Sequence, residues 1–548
     1  MMKKLLMICS WALLLGGCKS ESGATDPDGD KPVPPPSAEL LQKIEDLNTG
    51  LVSLKALAGA VSQSEVRSLT EVEDGAHLTF SDGTELTLAC NADATDAPLI
   101  GIAADGEEYY WTLAAEKDTP WLKDAAGAKL PVSGPVPVTG RDDKGFWTVT
   151  TDAAVTPWQI VNAAGNPIEA TGDEHVELFR SVKAEGGKVE IELTDGGKLS
   201  AAQINDLGAA GTANCYVVSA PGKYIFSAKV RGNGAGEGVG FDPAIEIAAD
   251  MTADWLWTDS EGLVSEVALD KESGDISFKV GEGKGNTLVA LMKDGVIVWS
   301  WHIWVTDAPQ TMTYKNGTVF MDRNLGAVGT TVGGTDAYGM YYQWGRKDPF
   351  YSGLTTETSA EAFKEAKAHT TVNSAYANVV WGAATGTFST ADYAAANPMT
   401  FLYNKVGVSS YYDWLAKPNS KMWGVAKTLN DPCPPGYKVP VVDAWSDFCE
   451  GRQYIDGVSE WDGTNYGMSY THDGKTSWYP AQGYRNQSTG SLVGLGTTRT
   501  GNYWSSEATT QTAKFFYFQK KLTTSSGSIN IELDKSRAFG YSVRCCKE

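Results

Sequence analysis

Apolar positions between residues 37 and 63 fall on a helical period. Leu40, Ile44, Leu47, Leu51, Leu54, Ala58 and Val61 alternate steps of four and three, a seam of just over three heptads. Ser37, just before Leu40 and Leu41, is placed as the N-cap. At 1.5 Å per residue the helix reaches ~40 Å. The seam predicts a short parallel stalk, a homo-oligomer through residues 37–63; the alternative is an amphipathic helix docked on its own domain. From residue 64 the period changes to two. Ala76–Phe80 and Glu85–Leu88 flank an Asp82-Gly83 turn, the signature of a hairpin, and a similar unit recurs at Val189–Leu193 with Asp195-Gly196-Gly197. Short aromatic pieces such as Tyr109-Tyr110-Trp111 and Phe146-Trp147 lie between them, which predicts a turn-rich β domain over 64–200. Residues 201–308 carry about seven strand-like runs, the strongest being Val296–Val305, and predict a β-sandwich. The remainder, 309–548, is rich in Trp, Tyr and Gly. The expected class is mainly β and multidomain.

The N-terminus departs from both periods. Lys3 and Lys4 precede an apolar stretch over Leu5–Leu15, too short for the ~20 residues that span a bilayer and suited to a signal peptide over 1–17. Leu15-Gly16-Gly17-Cys18 resembles the lipobox of bacterial lipoproteins, which implies lipidation of Cys18 and anchorage in a membrane. Lys19 after the Cys argues against inner-membrane retention, so the expected address is the outer membrane, facing the cell surface. Residues 18–36, with Pro32 and Pro34-Pro35-Pro36, read as an extended tether. Its aspartates fail as a calcium loop, because Lys31 and Ser37 stand where the glycine and the bidentate glutamate belong.

Composition narrows the chemistry. The 548 residues carry 45 basic and 67 acidic side chains, a net charge of -22 that leaves no phosphate-neutralising surface and excludes nucleic acid as a main partner. His77, His175, His302, His369 and His472 are scattered, so no local metal motif exists, and His302 is expected to be structural. No nucleophile elbow, phosphate loop or dinucleotide fingerprint is present. Adjacent acidic pairs such as Glu107-Glu108 read as solvated surface. The expectation is a non-catalytic protein with no cofactor and no metal.

Denser motifs lie in the second half. Asn214-Cys215-Tyr216-Val217-Val218, Trp299-Ser300-Trp301-His302-Ile303-Trp304, Met321–Ala327, Tyr341–Phe350, Asp431–Tyr437, Trp478-Tyr479-Pro480-Ala481, Tyr503-Trp504-Ser505-Ser506 and Ser542–Cys545 stand in this order. With Asp105-Gly106 before Tyr109-Tyr110-Trp111, they resemble a group of Bacteroides-type surface lipoproteins. These join a coiled-coil-led domain of unknown function to a C-terminal domain similar to the Fibrobacter major paralogous domain. The last part is also distantly similar to the C-type lectin and sulfatase-modifying fold, which implies a C-terminal α+β, lectin-like domain. The sugar-and-calcium triplets of C-type lectins are absent. Four cysteines in that domain allow three pairings. The resemblance favours Cys433 with Cys545, because both sit in its motifs, leaving Cys449 with Cys546. Adjacent Cys545 and Cys546 point to opposite faces of a strand, which suits two separate partners. Whether Cys90 and Cys215 pair stays open.

Eighteen Trp and 23 Tyr are the remaining signal. Exposed aromatic faces grip sugar rings, so Trp478, Tyr479, Gln482, Tyr484, Arg485, Asn486, Tyr503 and Trp504, with Trp344 and Arg346, form the candidate ligand surface. The competing expectation is that they are core. The predicted role is adhesion or glycan capture, with a surface or fimbrial protein as the alternative partner in a fibre accessory or tip component. A structural spacer is the third.

Overall fold

The computed structural model describes residues 35–548 except 94–98, 107, 114–120, 125, 153–155, 163, 172–176, 186, 237–238, 352–370, 377–380, 386–387, 404–412, 495–498 and 521–527. The signal peptide, Cys18, nearly all of the tether, His175 and His369 lie outside the described residues. The protein is mainly β and built from several sheets. It divides into two compact units.

The first unit contains the described residues up to Lys55, Asp93–Leu178 and Thr194–Gly197. Its helix belongs to Ala38–Gln63, and Ser37 Oγ accepts from the Leu40 amide at 3.1 Å, as a cap should. Leu47, Leu51 and Leu54 of the seam are fully buried within this single chain, while Leu41 and Val52 face solvent at 53% and 57%. The helix is tied down by Asn48, which bonds Thr139, and by Lys55, which bonds the Gly134 carbonyl. Those three positions of the seam are covered by their own chain, while Ile44 and Val61 are half-buried.

The rest of this unit is a structural repeat. In the first copy the Trp111 amide donates to Leu130 O at 3.0 Å, Leu122 donates to Trp111 O, and Val132 returns to Tyr109. In the second, Trp147 donates to Ile168 O at 2.9 Å, Ile160 donates to Trp147 O, and Ala170 returns to Gly145. Each copy turns on one side chain: Asp124 Oδ1 accepts from Ala126 and Ala128, and Asn162 Oδ1 accepts from Ala164 and Asn166. Trp111 and Trp147 are fully buried at the two centres.

The second unit opens with two three-stranded meanders. One runs through Val66–Val72, Gly75–Phe80 and Glu85–Ala89, the other through Phe179–Glu185, Lys188–Leu193 and Lys198–Ala202. Next comes a sandwich. One sheet orders Ile204–Asp206, Gly222–Ser227, Asp275–Val280 and Val264–Leu269. The other orders Cys215–Val218, Val296–Val305, Gly285–Lys293, Met251–Thr258 and Thr371–Val372. That last strand comes from beyond residue 308 and pairs Val372 with Trp257. A single buried cluster continues from Phe226, Trp301 and Trp304 to Trp344, Trp414, Trp504 and Val543. The core therefore runs across residue 308 without a break.

Beyond it, residues 311–547 form a four-stranded sheet ordered Thr311–Thr313, Val319–Met321, Cys546–Lys547 and Tyr437–Lys438. A larger sheet centres on Gly540–Ser542, Thr500–Ala508 and Thr512–Gln519, and a three-stranded meander spans Ser459–Pro480. Cys433 and Cys545 are disulfide-bonded, as the resemblance implied. Cys449 and Cys546 are not: both are free thiols, as are Cys90 and Cys215. Cys546 sits in a strand paired with Phe320 and Lys438, and burial pushes its thiol up to about 12; Cys449 opens a hairpin with Tyr454.

Candidate functional site

The predicted aromatic surface is not a surface. Trp344, Arg346, Tyr479, Gln482, Arg485, Tyr503 and Trp504 are all 0–1% exposed. Most of them cross-link distant backbone. Trp344 Nε1 donates to Ser505 O at 2.9 Å, and Trp504 Nε1 donates to Tyr342 O at 2.8 Å. Arg346 Nη1 donates to Thr400 O at 2.7 Å, and burial lowers its pKa to about 10. Arg485 holds the carbonyls of Tyr351 and Gly490, and Gln482 grips both backbone groups of Gly339 at 3.0 Å. Tyr503 donates to Pro480 O, and Tyr479 meets the Tyr314 hydroxyl under the Arg544 guanidinium. Tyr484 is half-buried against Phe539 and Tyr541, and Asn486 closes a turn through Ser488. These residues build the scaffold.

Trp478 differs. It belongs to the meander Ser459–Asp462, Gly467–His472 and Lys475–Pro480, where Glu460, Ser469 and Trp478 stand directly opposite one another. Opposed residues share a face, so these three form a row. Trp461, Met468 and Tyr479 form the neighbouring row, and Met468 and Tyr479 there are fully buried. The Trp478 ring lies over residue 467, where a Cβ would come within 2.2 Å of it, so only glycine fits.

A cleft of about 640 Å³ opens beside this meander, lined by Glu460 and Trp478 from this face, by Trp461 from the neighbouring row, and by Asp322, Thr330 and Val332 among others. Thr330 and Val332 come from a loop wrapped around Asp336, which accepts from Thr331 and whose carbonyl accepts from Val328 and Gly329. A Cβ at 329 would meet the Asp336 carboxylate at 2.0 Å, which explains the glycine there. Ser469, Thr476, Asp462 and Gly463 complete the lining. Asp462 is part of a turn: it accepts from Thr464 and Asn465, and these bonds hold its carboxyl below the usual range. Asp322 is bonded by both sides of the neighbouring Arg323. All three carboxylates are thus engaged in local structure, Glu460 accepting from the Gly457 amide at 3.3 Å while remaining exposed. The indole N–H groups of Trp461 and Trp478 have no hydrogen-bond partner among the described residues. Both N–H groups are sealed from solvent, so the cleft offers indole ring carbon, hydroxyls and negative charge.

Of the predicted candidates, only Trp478 lines this cleft. The meander does carry a sequence signal: Asp462-Gly463 and Asp473-Gly474 bracket alternating residues, just as Asp82-Gly83 does near the N-terminus. The walls from residues 322–332 carry no such signal, because tertiary folding alone brings them there.

A second polar group runs from the half-buried Asp259 to the fully buried His302. Asp259 accepts from the amide and side chain of Asn286, whose Oδ1 faces His302 Nε2 at 2.8 Å. Burial raises the Asp259 pKa to about 6 and lowers that of His302 to about 3. His302 is structural in this setting. Among the described residues no group of three or more His, Cys, Asp or Glu is placed to hold a metal ion.

Residues 37–202 match DUF4988, a domain of unknown function. The match covers the helix, the tandem repeat and both meanders, and stops before the sandwich and the cleft. No curated protein matches the chain.

Proposed function

We propose that this chain is a non-catalytic cell-surface lipoprotein, held at the outer membrane through Cys18, that captures glycan with its C-terminal, lectin-like region. The observation that carries this is the cleft over the Ser459–Pro480 meander, where Trp461 and Trp478 stand beside the hydroxyls of Thr330, Ser469 and Thr476. A sugar presents an apolar ring face and a rim of hydroxyls, and such a wall meets both. Engagement of Asp322 and Asp462 in structural bonds supports binding over acid–base chemistry.

The test is an array of neutral and charged glycans probed with the full chain. Thr476→Arg fills the cleft from an exposed position and leaves the core intact. A saturable signal in the wild type, lost in T476R at unchanged melting temperature, is the expected result. A blank array from folded protein overturns the glycan reading and moves the search to a protein partner of the same cell.

A further inference from the structure

The two meanders that open the second unit are copies of one pattern. With Val66 set against Phe179, Arg67-Ser68, Asp82-Gly83, Leu86 and Ala89 fall on Arg180-Ser181, Asp195-Gly196, Leu199 and Ala202 without a gap. Strand lengths agree at seven, six and five residues. Both first strands bulge at the arginine, which each ladder skips. The Cys90 amide donates to Asp74 O as the Gln203 amide donates to Gly187 O. The buried positions Ala76, Leu78 and Phe80 fall on Val189, Ile191 and Leu193.

The copies hold each other reciprocally. Val66 forms a parallel bridge to Gln203, and Phe179 forms one to Cys90. The first residue of each copy thus meets the residue that follows the last strand of the other. This is the isologous contact that two separate chains make in a symmetric dimer. A sheet with one apolar face must bury it against another element, and the partner at these bridges is a near-copy of the sheet itself. The first copy is also made well before the second, with roughly 5–25 s between them during synthesis at ~5–20 residues per second.

We infer that the meander pair also closes between two chains, the first meander of each on the second meander of the other. The partner is a second copy of this chain. Exchange keeps both bridges, and it carries the bonds of Arg67 to Asp206 and Asp275, and of Lys223 to Glu65, from within one chain to between two. The closed monomer dominates at low concentration, because linked halves meet at an effective concentration of about a millimolar.

The test marks one chain with Glu65→Cys and another with Lys223→Cys, two partly exposed positions in contact across the exchanged interface. The chain from residue 18 onward is used, with Cys18→Ser, Cys90→Ser and Cys449→Ser removing reactive thiols. The two chains are expressed together and treated with a short bis-maleimide. Expected is a covalent pair of twice the chain mass, about tenfold less abundant when the same chains are folded separately and then mixed. No covalent pair after joint expression overturns the inference, whatever other dimers form. Equal yield after mixing overturns it too, since simple surface association would then explain the product. A second reading needs no variant: a wild-type dimer isolated by size should persist on dilution and revert to monomer only through unfolding, and prompt dissociation on dilution counts against exchange.

Discussion

The tandem repeat and the C-terminal region both centre on buried tryptophans, and they use them differently. Trp111 and Trp147 are fully buried, yet their indole N–H groups have no partner; order around them comes from short-range backbone bonds and from Asp124 and Asn162. Trp344 and Trp504 are equally buried, but each N–H reaches a carbonyl more than a hundred residues away. Trp414 reaches the carbonyl of Trp344, 70 residues away, at 2.7 Å. One region is closed by local turns around apolar plugs; the other has such a plug in Trp445 and adds polar cross-links between distant segments. The difference means that the second is held by groups that are costly to remove singly, since each leaves a buried carbonyl unsatisfied.

The largest test of this contrast is the disulfide. Cys433 and Cys545 close a loop of 112 residues, so replacing both with Ala should cost about 3–5 kcal/mol in the second unit. Hydrogen exchange should show lost protection through 500–519 and none lost at the amides of Trp111 and Trp147. Equal loss in both would show that the two regions are not independent.

Next in size is an acid effect confined to the second unit. His302 stays neutral when folded, down to about pH 3, whereas in the unfolded chain it titrates near 6.5. Its contribution is complete above pH 6.5 and falls as pH drops, because only the unfolded chain takes the proton. The deficit of His302→Gln at pH 7 should therefore narrow by about 3 kcal/mol by pH 4, as read from denaturant midpoints. Asp259 and Asp431, both raised to about 6 by burial, run the other way: their contribution is complete below about pH 4 and is lost as pH rises toward 6. They are present in both proteins and drop out of the difference. A gap that widens in acid would contradict the buried, neutral imidazole.

Smaller still is the direct comparison of indoles. Trp504→Phe removes a bonded N–H and should cost about 1–3 kcal/mol more than Trp111→Phe, which removes an unpartnered one. Equal costs would dissolve the distinction. Smallest are Asp124→Ala and Asn162→Ala. Each should lower local protection at Ala128 or Asn166 by about 1 kcal/mol, and the double variant should show the sum.

Local structure was legible where one residue sets it. Ser37 marked the helix start, Asp82-Gly83 the first hairpin, and Val296–Val305 emerged as one strand. Cys433 with Cys545 followed from the resemblance. What composition could not show was which aromatics face out. Tyr479 and Trp478 are neighbours with opposite fates, one under Arg544 and the other at the cleft. Period-two alternation separates the two faces but does not say which is covered; that depends on Tyr314 and Arg544, far away in sequence. The cleft stayed hidden for the same reason, since Asp322 and Thr330 meet Trp478 only in the folded chain. Cys449 and Cys546 show the limit of counting: an even number of thiols in one region did not bring the second pair together.

The strand Cys546–Lys547 lies between Val319–Met321 and Tyr437–Lys438, and Arg544 bonds Asn324 across 220 residues. A ribosome adding ~5–20 residues per second needs roughly 10–40 s to make that span. Through that interval Met321 and Asn324 have been made and their partners have not. The newborn chain must be kept from premature collapse or aggregation until residues 544–547 arrive.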